Sequence, residues 1–352
     1  MSVKITGVGS YIPTLVEKNN AFESHEFYNA DGSKITSEPT EIVEKFKAIT
    51  GIEERRYAED NLTCSDLAYK AAIKAIADAG IDKETIDYII VAQNFGDVSS
   101  DSNQSDMVPC LAARVKQKLQ IKNPKCVGYD LVFGCPGWLE GVIQANAFIN
   151  AGIAKRCLVI GSETLSRVVD KFDRDTMIFS DGAGATIIDK TDNEGGIISH
   201  ESASFTLEEA DYLFFGPTNK KDSVDKTRYI KMHGRKIYEF ALTEVPKAMK
   251  SCLDKSGIDI SEIKKIILHQ ANEKMDEAIV KRFYRLFKLQ VPKDIMPMSI
   301  HKLGNSSVAT IPTLYDLILQ NKIENHSIEK GDVIMFASVG AGMNLNTLIY
   351  KV

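Results

Sequence analysis

Cys135 is the residue in this chain best placed to act as a nucleophile, and His269 and Asn305 are the polar residues best placed to assist it. Cys135 follows the run Tyr129-Asp-Leu-Val-Phe-Gly134 and precedes Pro136-Gly-Trp-Leu-Glu-Gly141. The run reads as a buried strand, Gly134 permits a tight turn, and Pro136 suits the first position of a helix. From Trp138 to Ala151 only Glu140 is charged, so that helix belongs inside the protein. The thiol then sits beside the free N–H groups of a helix start, whose dipole is expected to lower its pKa and favour the thiolate. Taken singly, each of the three has a plainer reading. Cys135 is also what a small core hydrophobe looks like, His269 after Ile266-Ile-Leu268 a buried structural imidazole, and Asn305 after Gly304 a turn residue. The case rests on all three standing at the ends of apolar segments, where α/β sheets gather their sites.

The rest of the composition narrows the function by exclusion. A chain of 352 residues, 44% hydrophobic, can bury a large core, and a net charge of −5 argues against nucleic acid as a partner. No run of 18 apolar residues occurs, so no membrane span is expected, and Met1-Ser-Val-Lys-Ile-Thr6 lacks the apolar core of a signal peptide. The cysteines, Cys64, Cys110, Cys126, Cys135, Cys157 and Cys252, form no CxxC pair, which fits a reduced, cytoplasmic protein. The histidines are scattered, so no metal site is expected. Gly7-Val-Gly9 lacks the third glycine and acidic partner of a dinucleotide site, and no phosphate loop occurs, so no cofactor is expected.

The elements that must position these residues repeat. Residues 2–8 read as a strand and 14–47 as irregular and charged. Cys64–Ala79 reads as a helix stopped by Gly80, Asp87–Ala92 as a buried strand, Gln93–Asp106 as a polar loop and Met107–Leu119 as a second helix. Lys155–Ile160 is a further apolar strand, and Asp181-Gly-Ala-Gly-Ala185 is expected to mark a bulge or a close backbone approach. Gly80-Ile81-Asp82 matches Gly257-Ile258-Asp259 at an offset of 257 − 80 = 177, and the same offset aligns Ile89 with Ile266, Gln93 with Gln270 and Lys155–Ile160 with Asp332–Ala337. A duplicated α/β unit with a mostly parallel sheet follows, one half over 1–190 with the cysteine and the other over 191–352 with the histidine and asparagine. In the second half, Lys236–Leu253 is helical with Pro246 inside it, where a kink is expected.

Motifs along nearly the whole chain resemble the ketoacyl-acyl-carrier-protein synthase III family of the thiolase superfamily. They are Ile5-Thr-Gly-Val-Gly-Ser-Tyr-Ile-Pro13, Thr50-Gly-Ile-Glu-Glu-Arg-Arg56, Cys135-Pro-Gly-Trp138, Phe179-Ser-Asp-Gly-Ala-Gly-Ala185, His269-Gln-Ala-Asn272, Gly304-Asn-Ser-Ser307 and Gly340-Ala-Gly342. The resemblance implies a duplicated five-layered αβαβα fold, a homodimer, and a ketosynthase that joins an acyl thioester to a malonyl-type thioester by Claisen condensation. It implies that Cys135 takes up the acyl group, with the backbone N–H groups of Cys135 and Ala341 as oxyanion hole. His269 and Asn305 would hold the enolate formed as carbon dioxide leaves. Acyl carrier protein is the implied partner, docking at Lys274 with Arg235 and Lys236 extending a basic patch that also takes in Lys231, Lys281, Arg282 and Arg285.

Ala341 stands where the family commonly has glycine and Pro136-Gly-Trp138 where a small residue, Gly and Phe are commoner, and two further positions depart near the coenzyme A site. Lys45 stands where a tryptophan stacks on the adenine of coenzyme A, and Ile49 where an arginine lies nearby; the chain's one tryptophan is Trp138. Carrier-borne donors are therefore expected ahead of coenzyme A esters, as in specialised relatives such as the dialkylresorcinol-forming ketosynthases. Other readings predict other residues. A papain-like hydrolase shares the order Cys, His, Asn but carries a CGSC[WY] block. A thiolase proper needs a second catalytic cysteine after Cys252, and none occurs. A hydroxymethylglutaryl-synthase-like acyltransferase needs a glutamate between the cysteine and the histidine as acid and base, and a non-catalytic partner would dispense with the cysteine.

Overall fold

Strands that are apolar on both faces must be covered on both faces, and the sequence carries enough apolar helices to do it. A computed structural model of the protein describes residues 2–224 and 226–352. Residues up to 191 form strands β1 (Ser2–Tyr11), β2 (Leu15–Lys18), β3 (Glu54–Tyr57), β4 (Tyr88–Gln93), β5 (Val127–Val132), β6 (Arg156–Thr164) and β7 (Asp181–Thr191). Their helices are α1 (Pro39–Thr50), α2 (Cys64–Ala79), α3 (Leu111–Lys118) and α4 (Gly137–Asn150). The remainder forms β8 (Gly196–Ser204), β9 (Leu213–Pro217), β10 (Arg228–Met232), β11 (Ile263–Leu268), β12 (Val333–Gly340) and β13 (Asn344–Lys351). With them come α5 (Gly234–Ser256), α6 (Glu273–Arg285), α7 (Ile300–Leu303) and α8 (Thr310–Leu319).

Two large sheets result, in the orders β1-β7-β6-β4-β5 and β11-β12-β13-β8, beside the two-stranded pairs β2-β3 and β9-β10. Helices α4 and α8 fill the space between them. One apolar cluster joins Ile90 and Val159 of the first sheet, Trp138 and Val142 of α4, Leu314 and Tyr315 of α8, and Ile267 and Phe336 of the second sheet. Trp138 spans this layer, meeting Phe336 edge-on at 5.7 Å between ring centroids and donating its indole N–H to Thr186 Oγ1 at 3.3 Å. On the outer faces, α2 and α3 cover the first sheet, and α5 and α6 the second. The result is the five-layered αβαβα arrangement.

The 177-residue repeat extends to strand register. Tyr88 pairs with Cys157 as Lys265 pairs with Ile334, and Val91 pairs with Ile160 as Leu268 pairs with Ala337. Gly80 and Gly257 both end their helices in the left-handed conformation, at φ +62° and +69°. The second sheet has no counterpart of β5.

Three local expectations change. The sheets are mixed: β4 is parallel to β5 and β6, but β7 and β13 run antiparallel to their neighbours. In the second half the reason is the three-residue turn Ala341–Met343, a connection short enough only for antiparallel strands. Residues 39–50 form a helix where an irregular stretch is expected. Pro39 at its start, Ile42, Val43 and Phe46 on its buried face and left-handed Gly51 after its end supply the signals. Helix α3 begins at Leu111, because Pro109 keeps the residue before it out of the helical region. No bulge interrupts the pairing of β6 with Asp181–Ala185. The close approach, the other expectation for this run, is what Gly184 provides: a Cβ there would lie 2.7 Å from the Pro312 ring and 2.8 Å from the Thr313 backbone N of α8. Helix α5 runs on through Pro246.

The same device positions the loop that carries Asn305. A Cβ on Gly161 of β6 would collide with the backbone carbonyl of Val308. We predict that Gly161→Ala lowers stability by about 1–3 kcal/mol, the usual cost of overpacking, measured as a reduced denaturation midpoint. An unchanged midpoint would contradict this contact.

Candidate active site

Three chain reversals meet at one end of the two sheets. The first follows β5, where Gly134 takes φ +77° and hands Cys135 to the start of α4. The second follows β12, where Gly340-Ala341-Gly342 turns into β13. A Cβ on Gly340 would lie 2.5 Å from the backbone N of Cys135, and one on Gly134 would lie 2.8 Å from that of Ala341. Only glycines allow the two turns to touch backbone to backbone, which brings the N–H groups of Cys135 and Ala341 to the same edge of the site. The third reversal follows β11. His269 leaves that strand with its N–H bonded to Ala337 O at 2.9 Å.

Gln270 ties this reversal to the segment bearing Asn305. It is fully buried, donates to Pro297 O at 2.8 Å and accepts from the N–H groups of Ser299 and Ile300 at 2.9 and 3.1 Å. Asn272 caps α6 by accepting from Met275 N at 3.0 Å. The motif His269-Gln-Ala-Asn272 is thus one site residue followed by its supports. Asn305 follows left-handed Gly304 and bonds to Ile178 O and Ser180 N, which locks its backbone beside Phe179. Its Oδ1 accepts from Ser307 N at 2.8 Å, so the Nδ2 hydrogens are what the amide has left to offer a ligand.

Cys135, His269 and Asn305 line a single cavity of about 210 Å³, together with Ser307, Asn94 and walls that include Phe95, Phe179, Phe215 and Met275. Among the described residues, no Asp, Glu, Lys or Arg side chain lines it. A wider passage of about 530 Å³ shares Ile178, Met232, Ile237, Ala271 and Met275 with the inner cavity and is edged by Lys45, Ile49, Arg174 and Arg235. Lys274 is exposed in the first turn of α6, next to Met275 of the passage. Lys236 lies apart, over the Tyr212 ring at 5.2 Å. Lys231 does not belong to any docking patch: it is 5% exposed and held between the carboxylates of Asp170 and Asp173.

Burial governs the electrostatics. It pushes the Cys135 thiol up to about 12, against hydrogen bonds from Ser307 and from its own backbone that pull it down. The helix start alone therefore does not leave a thiolate in the empty site, contrary to the expectation from position. Burial also lowers His269 to about 4, so its imidazole is neutral, and Nδ1 has no partner in the protein. Ser307, Asn94 and Glu163 were missed in the sequence. Ser307 Oγ donates to Cys135 Sγ at 3.3 Å, Asn94 Nδ2 donates to Ser307 Oγ at 3.1 Å, and Asn94 also donates to Glu163. Ser307 ends the motif Gly304-Asn-Ser-Ser307. Glu163 was legible only as the one acid in an apolar strand, and it does not line the cavity. Among the described residues, no group of three or more His, Cys, Asp or Glu side chains is placed to hold a metal, and no helix is long and apolar enough to cross a membrane.

With this geometry in view, comparison with known proteins is informative. The profile of 3-oxoacyl-[acyl-carrier-protein] synthase III matches residues 129–204, and the profile of its C-terminal part matches 253–352. The beta-ketoacyl-[acyl-carrier-protein] synthase III of Staphylococcus aureus is 33% identical over 353 residues, covering 100% of this chain and 99% of that protein. That of Staphylococcus saprophyticus is 33% identical over 344 residues, covering 97% and 96%. The crystal structure of the Aquifex aeolicus enzyme superposes with a TM-score of 0.81 at 27% identity, each chain covered completely. The priming beta-ketosynthase of the R1128 polyketide pathway shares the fold, with a TM-score of 0.82 at 22% identity over 100% of this chain and 96% of that one.

The depressed histidine gives a direct test. Its folded pKa lies below the ordinary value near 6.5, so His269 stays neutral from pH 5.5 to 8, and its share of stability is lost progressively as pH falls from about 6.5, where the unfolded imidazole takes up a proton, to about 4. Histidine NMR should show one imidazole that does not titrate in that window and that disappears in His269→Ala. Titration of every histidine near pH 6.5 would contradict the burial argument.

Proposed function

The chain belongs to the 3-oxoacyl-[acyl-carrier-protein] synthase III family, whose members are Claisen-condensing ketosynthases, and on that premise we propose how its own residues divide the reaction. The observation that carries the proposal is that Cys135, His269 and Asn305 line one cavity free of charged side chains.

In the first half-reaction the Cys135 sulfur bonds to the acyl carbon of a thioester donor. The donor's carbon–sulfur bond breaks, and the departing thiol takes the proton that Cys135 gives up. The Cys135 and Ala341 N–H groups hold the oxyanion of the tetrahedral intermediate. In the second, a malonyl-type thioester places its carbonyl oxygen against His269 and Asn305 Nδ2. A carboxylate in an apolar cavity with no cation is poorly solvated, and losing carbon dioxide relieves that cost. The electron pair moves to the enolate, whose oxygen meets both donors. The enolate carbon then attacks the acyl carbon, and the Cys135 sulfur leaves and regains a proton. Glu163, the one glutamate near the sulfur, stands behind Asn94 and Ser307, which disfavours a hydroxymethylglutaryl-synthase-like role as acid toward substrate.

The passage fits a phosphopantetheine arm. Its lining joins apolar walls shared with the inner cavity to Lys45, Arg174 and Arg235, cations suited to a phosphate even with Asp175 3.8 Å from Arg174, and Lys274 is exposed beside it for an acidic carrier protein. Lys45 and Ile49 offer no aromatic face where the family stacks its tryptophan, which supports carrier-borne donors over coenzyme A esters, although the Tyr238 ring also lines this passage. The donor admitted decides whether the enzyme serves fatty-acid initiation or a specialised polyketide or dialkylresorcinol pathway. The free cysteines suit a reducing cytoplasm.

A second copy of the chain is the proposed cover for β5. That strand pairs only with β4, so its other edge is open, and Val127 and Val132 on it are 47% and 64% exposed. Met107 and Val108, which follow the loop Gln93–Asp106, are 44% and 88% exposed. Sedimentation at micromolar concentration should give a dimer, and a monomer would contradict this reading.

The division of labour is tested by malonyl-carrier decarboxylation. His269→Ala or Asn305→Ala should slow it by roughly 10²–10³-fold, the usual effect of one lost oxyanion donor, while acyl transfer to Cys135 is partly retained. The same assay with carrier-borne and coenzyme A donors should favour the carrier, and Lys274→Glu should remove that preference. Complete loss of acyl transfer in His269→Ala, or coenzyme A esters reacting best with Lys274→Glu indifferent, would overturn the respective assignment.

A further inference from the structure

The reaction as described does not use the buried group behind the nucleophile. Glu163 is 1% exposed, and it lies at the end of β6 with no cation bonded to it. Asn94, at the end of the neighbouring strand, donates one Nδ2 hydrogen to Glu163 Oε1 and the other to Ser307 Oγ. An amide nitrogen only donates, so the Ser307 oxygen can only accept from it, and the hydroxyl hydrogen is left to point elsewhere. Cys135 Sγ is 3.3 Å away and receives it. The backbone is arranged to the same end. Ser307 is held at φ +52°, a conformation that costs a non-glycine residue energy, and its N–H is anchored on Asn305 Oδ1.

We propose that Ser307 Oγ–H is the donor that stabilises the Cys135 thiolate, and that Asn94 and Glu163 are positioning residues that fix the direction of that hydroxyl. The proposal rests on Cys135 being the acyl-bearing nucleophile. Two of the bonds run toward the sulfur, from Asn94 to Ser307 Oγ and from Ser307 Oγ to Cys135 Sγ, so a negative charge there gains from both, while the bond from Asn94 to Glu163 runs the other way and holds the amide in place. The thiol needs this help: it is buried, no cation lines its cavity, and the imidazole that shares the cavity is neutral. Among the influences that pull the thiol down against burial, the Ser307 hydroxyl is the largest. Burial pushes the Glu163 carboxyl up to about 8, and the nearby Asp181 carboxylate adds to that, so the neutral acid predominates at pH 7; its ionised form pushes the thiol up and competes with the sulfur for the Ser307 hydroxyl. A neutral carboxyl still accepts from Asn94.

Alkylation by iodoacetamide reads the thiolate without any acyl donor, so this test stands apart from the ketosynthase assays. Ser307→Gly removes the hydroxyl, suits the left-handed backbone and keeps the N–H bonded to Asn305. It should slow alkylation of Cys135 at pH 7.5 by about tenfold or more, the effect of one hydrogen bond to a charged group. Asn94→Ala and Glu163→Leu should slow it in the same direction, whereas Glu163→Gln, uncharged and still able to accept from Asn94, should keep the wild-type rate. Thermal melts identify any variant that fails to fold, and Ser307→Gly with Glu163→Gln then decides the matter. Wild-type alkylation of Ser307→Gly across pH 6–9, or Glu163→Gln slowed as far as Ser307→Gly, would overturn the proposal.

Discussion

The site depends on a contact between two turns that carry no side chain at the point where they meet. Gly134 and Gly340 let the reversal after β5 and the reversal after β12 touch through backbone alone. Any side chain at either position would drive the turns apart, and the N–H groups of Cys135 and Ala341 with them. Because β5 and β12 belong to different sheets, this contact also fixes where the two halves of the molecule stand. The interior layer holds it in place: Trp138, three residues beyond Cys135, is bonded to Thr186 of one sheet and packed on Phe336 of the other. Core packing and site geometry are thus one constraint, since close-packed interiors transmit small displacements rather than absorbing them.

The second organising fact is that the inner cavity holds polar groups but no charge. In water a lone hydrogen bond from an amide or imidazole does little for an anion. In a dry cavity the same donors are worth far more, and they cost no reorganisation at the moment of reaction. Burial therefore has two faces here. It keeps the Cys135 thiol protonated at rest and the His269 imidazole neutral, and it makes every donor aimed at a developing negative charge count. The charged side chains stay at the outer edge of the passage, where Lys45, Arg174 and Arg235 meet whatever enters.

Much of the architecture was legible in the sequence because it is written in apolar periodicity and in glycine. The 177-residue offset found from Gly80 and Gly257 carries through to the pairing of individual residues across strands. Cys135, His269 and Asn305 could be picked out because each interrupts or ends an apolar run, and they line one cavity. What could not be read was whatever depends on residues distant in sequence. Helix α1 was hidden by its charged outer face, although Pro39 and Gly51 mark its ends. Lys231 looked like a surface cation because nothing local announces that Asp170 and Asp173 enclose it. The pKa of Cys135 was misjudged for the same reason: the helix start is a local feature, while burial is set by the whole fold. Ser307, Asn94 and Glu163 come from three separate segments, and only the folded chain brings them together.

The central claim is that Cys135 is the atom to which the acyl group is transferred before any carbon–carbon bond forms. Intact-mass analysis after incubation with an acyl-carrier thioester, with no malonyl thioester present, tests it most directly, followed by mapping of the modified peptide. The account predicts one added acyl mass per chain, located in the peptide that contains Cys135, and none on Cys135→Ala. An acyl group on another residue, or one that persists on Cys135→Ala, would contradict it.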